Sequence, residues 1–289
     1  MVGDGRTAPR LQFLMIVNDG EIARHVASQG VARLFVDLEH MGKDVRQGHL
    51  DSWKSRQTPA DVSRIRAAAP DAHVLVRINP LHLGSRREID DVLARGADSV
   101  MLPMFHGVDD LARFLDMLAG RAEALPLVET ASALRAIPQM VEKLPLSGLH
   151  IGLNDLHLDL GLDFMFQPIA DGLLEEPCAA LRQASVPFGI GGVAAPGRGL
   201  LMPERVLGEH VRLGSSAVIL SRSFHGGAET LQGLLASDFD ANVRRLQTIY
   251  SAFASAGAAE LELNRQATAG AIDQIAADLR AARASAGRG

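Results

Sequence analysis

Cysteine is almost absent from this chain of 289 residues, with Cys178 standing alone. A single thiol cannot close an internal disulfide or build a cysteine-based zinc site. Lysine is nearly as scarce: of 29 basic residues only Lys43, Lys54 and Lys143 are lysines, so Schiff-base chemistry has few candidates. No apolar run approaches the roughly 18 residues that a membrane helix needs. The opening MVGDGRTAPR has no apolar stretch of the kind a secretory leader carries. Positive charge is not in excess either, and a net charge of −5 leaves no footprint for nucleic acid or an anionic membrane. G-x-S-x-G, Walker A and H-E-x-x-H motifs are all missing. The expectation is a cytoplasmic protein acting on a small molecule, without nucleic-acid or membrane partners.

What is present is a regular alternation. Hydrophobic residues make up 47% of the chain and charged ones 22%, enough for a large core in an ordinary globule. Eight short apolar runs begin at LQFLMIV (11–17), RLFVDLEH (33–40), HVLVRIN (73–79) and SVMLPMF (99–105). They continue with LPLVET (125–130), GLHIGLND (148–155), VPFGIGG (186–192) and SAVILS (216–221). Segments of helical periodicity separate them. Runs that are apolar on both faces argue for buried parallel strands, and eight of them predict a (β/α)₈ TIM barrel, α/β in class. The predicted domains are a flexible N-terminus (1–10), a barrel catalytic domain (11–228) and a C-terminal helical extension (229–289). The extension reads either as packing for the barrel or as an oligomerisation arm.

Active sites of such barrels lie at the C-terminal ends of the strands, and polar residues recur there. Strand 2 ends in Asp37, Glu39 and His40, strand 3 in Arg77 and Asn79, strand 5 at Glu129, and strand 6 at Asn154 and Asp155. Glu129 and Asp155 close apolar runs on neighbouring strands. Burying such carboxylates is costly unless they share a cation, and oxygen-only ligands suit Mg²⁺ or Mn²⁺; a capping or ion-pair role is the alternative. Arg77 inside VLVRINP is either an internal ion pair, with Glu129 a candidate partner, or a fork-shaped donor for a carboxylate or enolate. His40 is a candidate base. The charged loop 41–58, with Lys43 and Arg46, is the place for substrate recognition if it is a lid. In IGLNDLHLDLG the alternation of leucine with His157 and Asp159 is explained by one-sided burial past the strand end, though His157 could reach substrate. GIGGVA (189–194) fits a dinucleotide fingerprint, but APGRG follows where a helix should start. Its glycines read better as close backbone approach to a substrate.

The set VDLEH, VRINP, MLPMF, PLVETASAL and IGLNDLHLDLG, across roughly residues 33–224, resembles the HpcH/HpaI aldolase and citrate lyase β-subunit superfamily. The resemblance implies a modified TIM barrel holding Mg²⁺ or Mn²⁺. It also implies carbon–carbon bond cleavage or formation beside a pyruvate-like enolate, or action on acyl-CoA thioesters. Glu129 and Asp155 match the two metal-binding carboxylates, Arg77 the arginine that contacts the substrate, and His40 the acid–base histidine of the aldolase branch. One position departs: the aspartate that pairs with this histidine is replaced by Ala94, with Asp90 or Asp91 as substitutes one turn earlier. Asp37, Glu39, Asn154, His157, Lys43 and Arg46 complete the substrate-binding candidates.

The implied chemistry is a metal-dependent (class II) aldolase acting on a 2-keto acid and an aldehyde. No lysine closes a barrel strand, which argues against the Schiff-base alternative. An acyl-CoA lyase or thioesterase and a non-catalytic sugar-acid-binding or scaffold protein remain the other readings. The C-terminal helices of aldolase relatives pack on neighbouring subunits, so the resemblance implies a homo-oligomer, a trimer or hexamer.

Overall fold

The computed structural model describes residues 10–42 and 57–286. Nine of the ten residues expected to form a flexible N-terminus, and most of loop 41–58 with Lys43 and Arg46, lie outside the described residues. Each predicted run contains a strand: β1 (Gln12–Ile16), β2 (Val31–Asp37), β3 (Val74–Arg77) and β4 (Ser99–Met101) in the first half. The second half holds β5 in two pieces (Glu123–Ala124 and Leu127–Val128), β6 (Leu149–Ile151), β7 (Phe188–Val193) and β8 (Ala217–Leu220). All neighbouring pairs are parallel, and β1 pairs with both β2 and β8.

Strand β5 closes the ring. Its first piece pairs with β4 and its second with β6. Pro126, which has no N–H to give, sits at the interruption, while Leu125 and Leu127 still donate to Val100 and Leu102. The strands read as continuously apolar because alternate residues serve two cores. Leu14, Phe35, Leu75, Met101, Leu125 and Leu127 fill the barrel interior. Phe13, Met15, Leu34, Val36, Val74, Val76 and Val100 face the surrounding helices.

Helices α1 (Gly20–Ser28), α2 (Pro59–Ala68), α3 (Ser85–Ala94), α4 (Val108–Leu118) and α5 (Ala131–Lys143) return the chain between strands. Several strand-end polar residues are spent on starting them. Asp19 accepts the Glu21 and Ile22 N–H groups at 2.9 and 3.0 Å, and Thr58 and Asp61 form a reciprocal capping box.

After β6 the structure departs from the expected strand. Helix α6 (Leu153–Asp159) starts at once, so Asp155 lies in a helical first turn rather than at a strand end. The leucine pattern fits both periods: Leu153, Leu156 and Leu160 also recur at helical spacing, and Leu153 and Leu156 are the fully buried ones. His157 and Asp159, expected past the strand end, are therefore helical, and alternating one-sided burial does not describe them, since His157 is buried and Leu158 only half-buried. Helices α7 (Gln167–Ala170), α8 (Glu175–Gln183) and α9 (Pro203–Leu213) follow around the ring.

Beyond β8 come α10 (Leu231–Leu235), α11 (Phe239–Ala254) and α12 (Ala258–Ala286). Helices α11 and α12 pack against α9, α12 also meets α7, and α10 lies against α1 and α11 of the same chain. Gly208 permits the approach of α12: a Cβ there would lie 2.3 Å from Asn264 Nδ2, which donates to the Arg205 carbonyl and Glu209. Gly208→Ala is expected to cost about 1–3 kcal/mol through overpacking, despite alanine's better helix propensity. Thermal unfolding of this variant beside the double variant with Asn264→Ala checks it; the second change should recover most of the loss. No helix among the described residues is long and apolar enough to cross a membrane.

Candidate active site

A cavity of about 430 Å³ opens at the C-terminal ends of the strands. Its floor is apolar, from Met15, Ile16, Leu127, Leu153 and Ile219, while Asp37, Arg77, Glu129, Asn154 and Asp155 supply polar walls. Five of the residues expected from sequence thus meet in one place, although they come from four different strand ends. Gly191 and Gly192 join them from β7, and a Cβ on Gly191 would lie 2.9 Å from Leu153. The third glycine of that run serves packing instead: a Cβ on Gly189 would lie 2.2 Å from Nδ1 of His150, inside the barrel.

Arg77 is held by strand pairing opposite Asp37. Its Nε and Nη2 each donate to an Asp37 oxygen at 2.8 Å, and Nη1 lies 3.3 Å from Glu39. The guanidinium centre sits 5.6 Å from the Phe35 ring centroid. Burial works against its charge, but Asp37, Glu39 and Glu129 outweigh burial and hold its pKa above the ordinary arginine value. Its main partner is therefore Asp37, with the candidate partner Glu129 contributing less. Asp37 is positioned in turn by Gln57, whose side-chain oxygen accepts the Asp37 N–H while its amide donates to the Val17 carbonyl, both at 2.8 Å. Gln57 lines the cavity too, and nothing in its residue type marked it in the sequence.

Glu129 is 2% exposed. Burial, reinforced by Asp155 and Glu39 and opposed by Arg77, pushes its carboxyl up to about 8. The Met104 N–H donates to Oε1 at 3.1 Å, and Met104 adopts a left-handed φ of 51° to do so, a conformation that costs a non-glycine residue energy. Gly152 leaves room on the other side, since a Cβ there would lie 3.2 Å from Glu129 Oε2. Backbone strain and an obligatory small residue both serve this one carboxylate. Among the described residues no three His, Cys, Asp or Glu side chains converge as a metal site. Glu129 and Asp155 would supply two oxygen ligands and leave the remaining positions of a hard cation to substrate and water. A buried carboxyl whose ionisation is opposed by its acidic neighbours fits such a cation, because the cation reverses the penalty.

Other expectations fall elsewhere. His40 is exposed and does not line the cavity; its Nε2 donates to the Gln57 carbonyl at 3.0 Å, and its backbone N–H goes to Asn79. Asp90 and Asp91 are bound to Arg121 and Arg95 on the outside of α3, so they do not rebuild a dyad. His157 is buried, gives Nδ1 to the Leu153 carbonyl at 3.2 Å and stays out of the cavity; burial lowers its pKa. Asp159 accepts the Ala131 N–H at 2.7 Å and so anchors the start of α5. A serine–histidine pair outside those expectations, Ser215 and His210, bonds at 2.9 Å, and both are buried away from the cavity. Burial drives His210 down to about 3, and the pair is structural. Ser221 and Arg222, polar residues expected at the end of the last strand, line the cavity as well, with residues that sequence reading passed over: Asp61, Arg64, His225 and Glu229. The signal for the last two was the polar, glycine-containing SRSFHGGAE directly after β8.

No protein-family model and no curated protein sequence matches the chain. Solved structures do match. An HpcH/HpaI aldolase from Desulfitobacterium hafniense DCB-2 is 18% identical, with a TM-score of 0.56 over 74% of this chain and 86% of that one. An HpcH/HpaI aldolase/citrate lyase family protein from Burkholderia cenocepacia J2315 is 16% identical, with a TM-score of 0.59 over 83% and 96%. A citrate synthase variant, SbnG, is 11% identical, with a TM-score of 0.55 over 83% and 95%. The likeness is one of fold: the barrel resembles those of solved structures described as HpcH/HpaI aldolase and citrate lyase family proteins.

Proposed function

We propose that this protein is a carbon–carbon lyase of the HpcH/HpaI type, a class II aldolase that uses Mg²⁺ or Mn²⁺ to act beside a pyruvate-like enolate. The observation that carries the reading is Glu129 and Asp155 sharing a cavity with Arg77, with the Glu129 carboxyl forced up to about 8. Glu129 and Asp155 would hold the cation, which supplies Lewis-acid stabilisation of negative charge growing on the keto oxygen, a contribution of several kcal/mol. The chain's own residues do the rest. Arg77 keeps its charge in a dry setting, where a fixed guanidinium stabilises an anion far better than water does. Asp37 and Glu39 orient it. Gly191 and Gly192 let substrate lie against backbone, and the apolar floor excludes water from the enolate.

The fold likeness to proteins described as aldolases and to a citrate synthase supports chemistry at a carbon next to a keto acid. We place the enzyme in the cytoplasm as a trimer or hexamer, which light scattering on the purified protein would test. The central experiment is incubation with a panel of 4-hydroxy-2-keto acids, with and without Mg²⁺ or Mn²⁺, reading pyruvate release through lactate dehydrogenase. Metal-dependent pyruvate from at least one member is the expected result. Its absence from the whole panel, together with capture of the protein on immobilised coenzyme A, would turn the assignment to the acyl-CoA branch.

A further inference from the structure

His225 is a histidine in the candidate cavity that no motif announced. The loop that carries it is built to hold it still. A 3-10 turn (Arg222–Phe224) follows β8, and Phe224, 1% exposed, meets Phe239 of α11 edge-on at 5.5 Å. Gly226 and Gly227 then turn the chain with left-handed φ values of 63° and 72°. Gly227 and Ala228 donate their N–H groups back to the Arg222 and His225 carbonyls, both at 3.1 Å. The backbone that carries His225 is thus fixed by core packing of Phe224 on one side and a hydrogen-bonded turn on the other. Its Nδ1 is enclosed and has no hydrogen-bond partner among the described residues, leaving Nε2 as the nitrogen able to meet a ligand.

From this placement we infer that His225 exchanges the proton of the aldehyde-side hydroxyl, as the acid–base residue of the reaction; the inference rests on the aldolase reading above. The expected residue for this work, His40, is outside the cavity with its Nε2 proton already given to the Gln57 carbonyl. Among the other acids of the cavity, Asp37 holds Arg77, Asp61 caps α2, Glu129 and Asp155 are the cation ligands of that reading, and Glu229 is exposed to solvent. Burial, and next Arg222, lower the His225 pKa, so the ring is neutral and able to accept a proton near pH 7. The charged groups around it are Arg222 and Glu229 on its own loop, Arg198 beside Gly226, and Glu129, Asp155 and Arg64 from the other walls.

In the cleavage direction the C4 hydroxyl proton passes to His225 and its O–H electron pair becomes the aldehyde C=O. The C3–C4 bond breaks, and its electron pair passes to the keto-acid fragment as the enolate. Protonation of that fragment at C3 gives pyruvate, and His225 returns its proton to solvent at the open mouth. Pyruvate's own enolisation involves no aldehyde hydroxyl, which separates the two roles.

The test compares wild type and His225→Gln, each loaded with Mn²⁺, in two assays: cleavage of 4-hydroxy-2-keto acids, and exchange of pyruvate methyl protons with D₂O followed by NMR. Cleavage is expected to fall at least about 100-fold, the usual weight of a general base, with methyl exchange kept within about threefold. A third measurement needs no turnover. The His225 imidazole resonance, identified by its loss in the variant, should shift when a non-cleavable 2,4-dihydroxy acid is added. Cleavage at the wild-type rate, equal loss of cleavage and exchange, or an unmoved imidazole signal would each overturn the inference. So would loss of cleavage in His40→Gln with none in His225→Gln. If wild-type protein neither cleaves nor exchanges, it is the aldolase reading that fails.

Discussion

Glu129→Gln is expected to lower metal-dependent pyruvate release by about a thousandfold or more, while making the metal-free protein more stable. The two effects have one cause. An ordinary glutamate ionises near 4.5, and this one is pushed up to about 8 by burial and by Asp155 and Glu39. Below pH 4.5 the carboxyl is protonated in both the folded and unfolded chain, and nothing is lost. Between that pH and about 8 the unfolded chain releases the proton and the folded chain keeps it, so stability falls steadily as pH rises. At pH 7.5 the accumulated penalty is about 4 kcal/mol. Glutamine keeps an oxygen for the Met104 N–H and removes the charge. The variant's melting temperature in EDTA at pH 8 should therefore exceed that of wild type by about 5 °C or more. Mn²⁺ should stabilise wild type at this pH and leave the variant unmoved. Equal melting curves in EDTA, or an equal response to Mn²⁺, would remove the basis for the metal centre.

How much of this was legible in the sequence depends on how locally each feature is determined. The barrel was legible because its strands are buried on two faces. Phe13 and Leu14, or Leu34 and Phe35, are adjacent in sequence but enter different cores, and that demand leaves an unbroken apolar run. The strand-end carboxylates stood out by the same logic, as charges interrupting such runs. What failed was ambiguous or non-local. Leu153, Leu156 and Leu160 satisfy helical spacing while the same segment alternates, so Asp155 was placed on a strand when it occupies a helix. Glu129 was one candidate partner for Arg77 and does act on it, but the hydrogen-bonded partner is Asp37, which strand register puts directly across from it, and register is a property of two segments. His225 lies in a polar segment after the last strand, but its place in the cavity depends on Phe224 finding Phe239 in a helix after the barrel, which its own segment does not disclose. Gln57 was invisible because an amide bridging Asp37 and Val17 leaves no trace in residue type.

Arg77→Met should destabilise the protein by about 3–5 kcal/mol, the usual cost of removing one partner from a buried ion pair. The side chain is close in volume, so lost packing contributes little. What is lost is the cation that faces Asp37 through two 2.8 Å hydrogen bonds and Glu39 at 3.3 Å. Arg77→Lys retains the charge but not the planar fork, and should fall between wild type and the methionine variant in urea unfolding. Adding Asp37→Asn to Arg77→Met should recover more than about 1 kcal/mol, as coupling between contacting partners requires. If Arg77→Met unfolds at the wild-type urea concentration, the ion pair is not what holds this end of the barrel. The same substitution bears on the metal. Arg77, more than the Met104 N–H, opposes the upward push on the Glu129 carboxyl, so without it Glu129 ionises only at still higher pH. Metal binding by folded Arg77→Met should accordingly need a more alkaline solution than wild type, measurable by Mn²⁺ titration at several pH values. A guanidinium repels a cation, yet here it promotes cation binding by keeping the ligand ionisable. An unchanged pH dependence would show that Arg77 and Glu129 do not share a site.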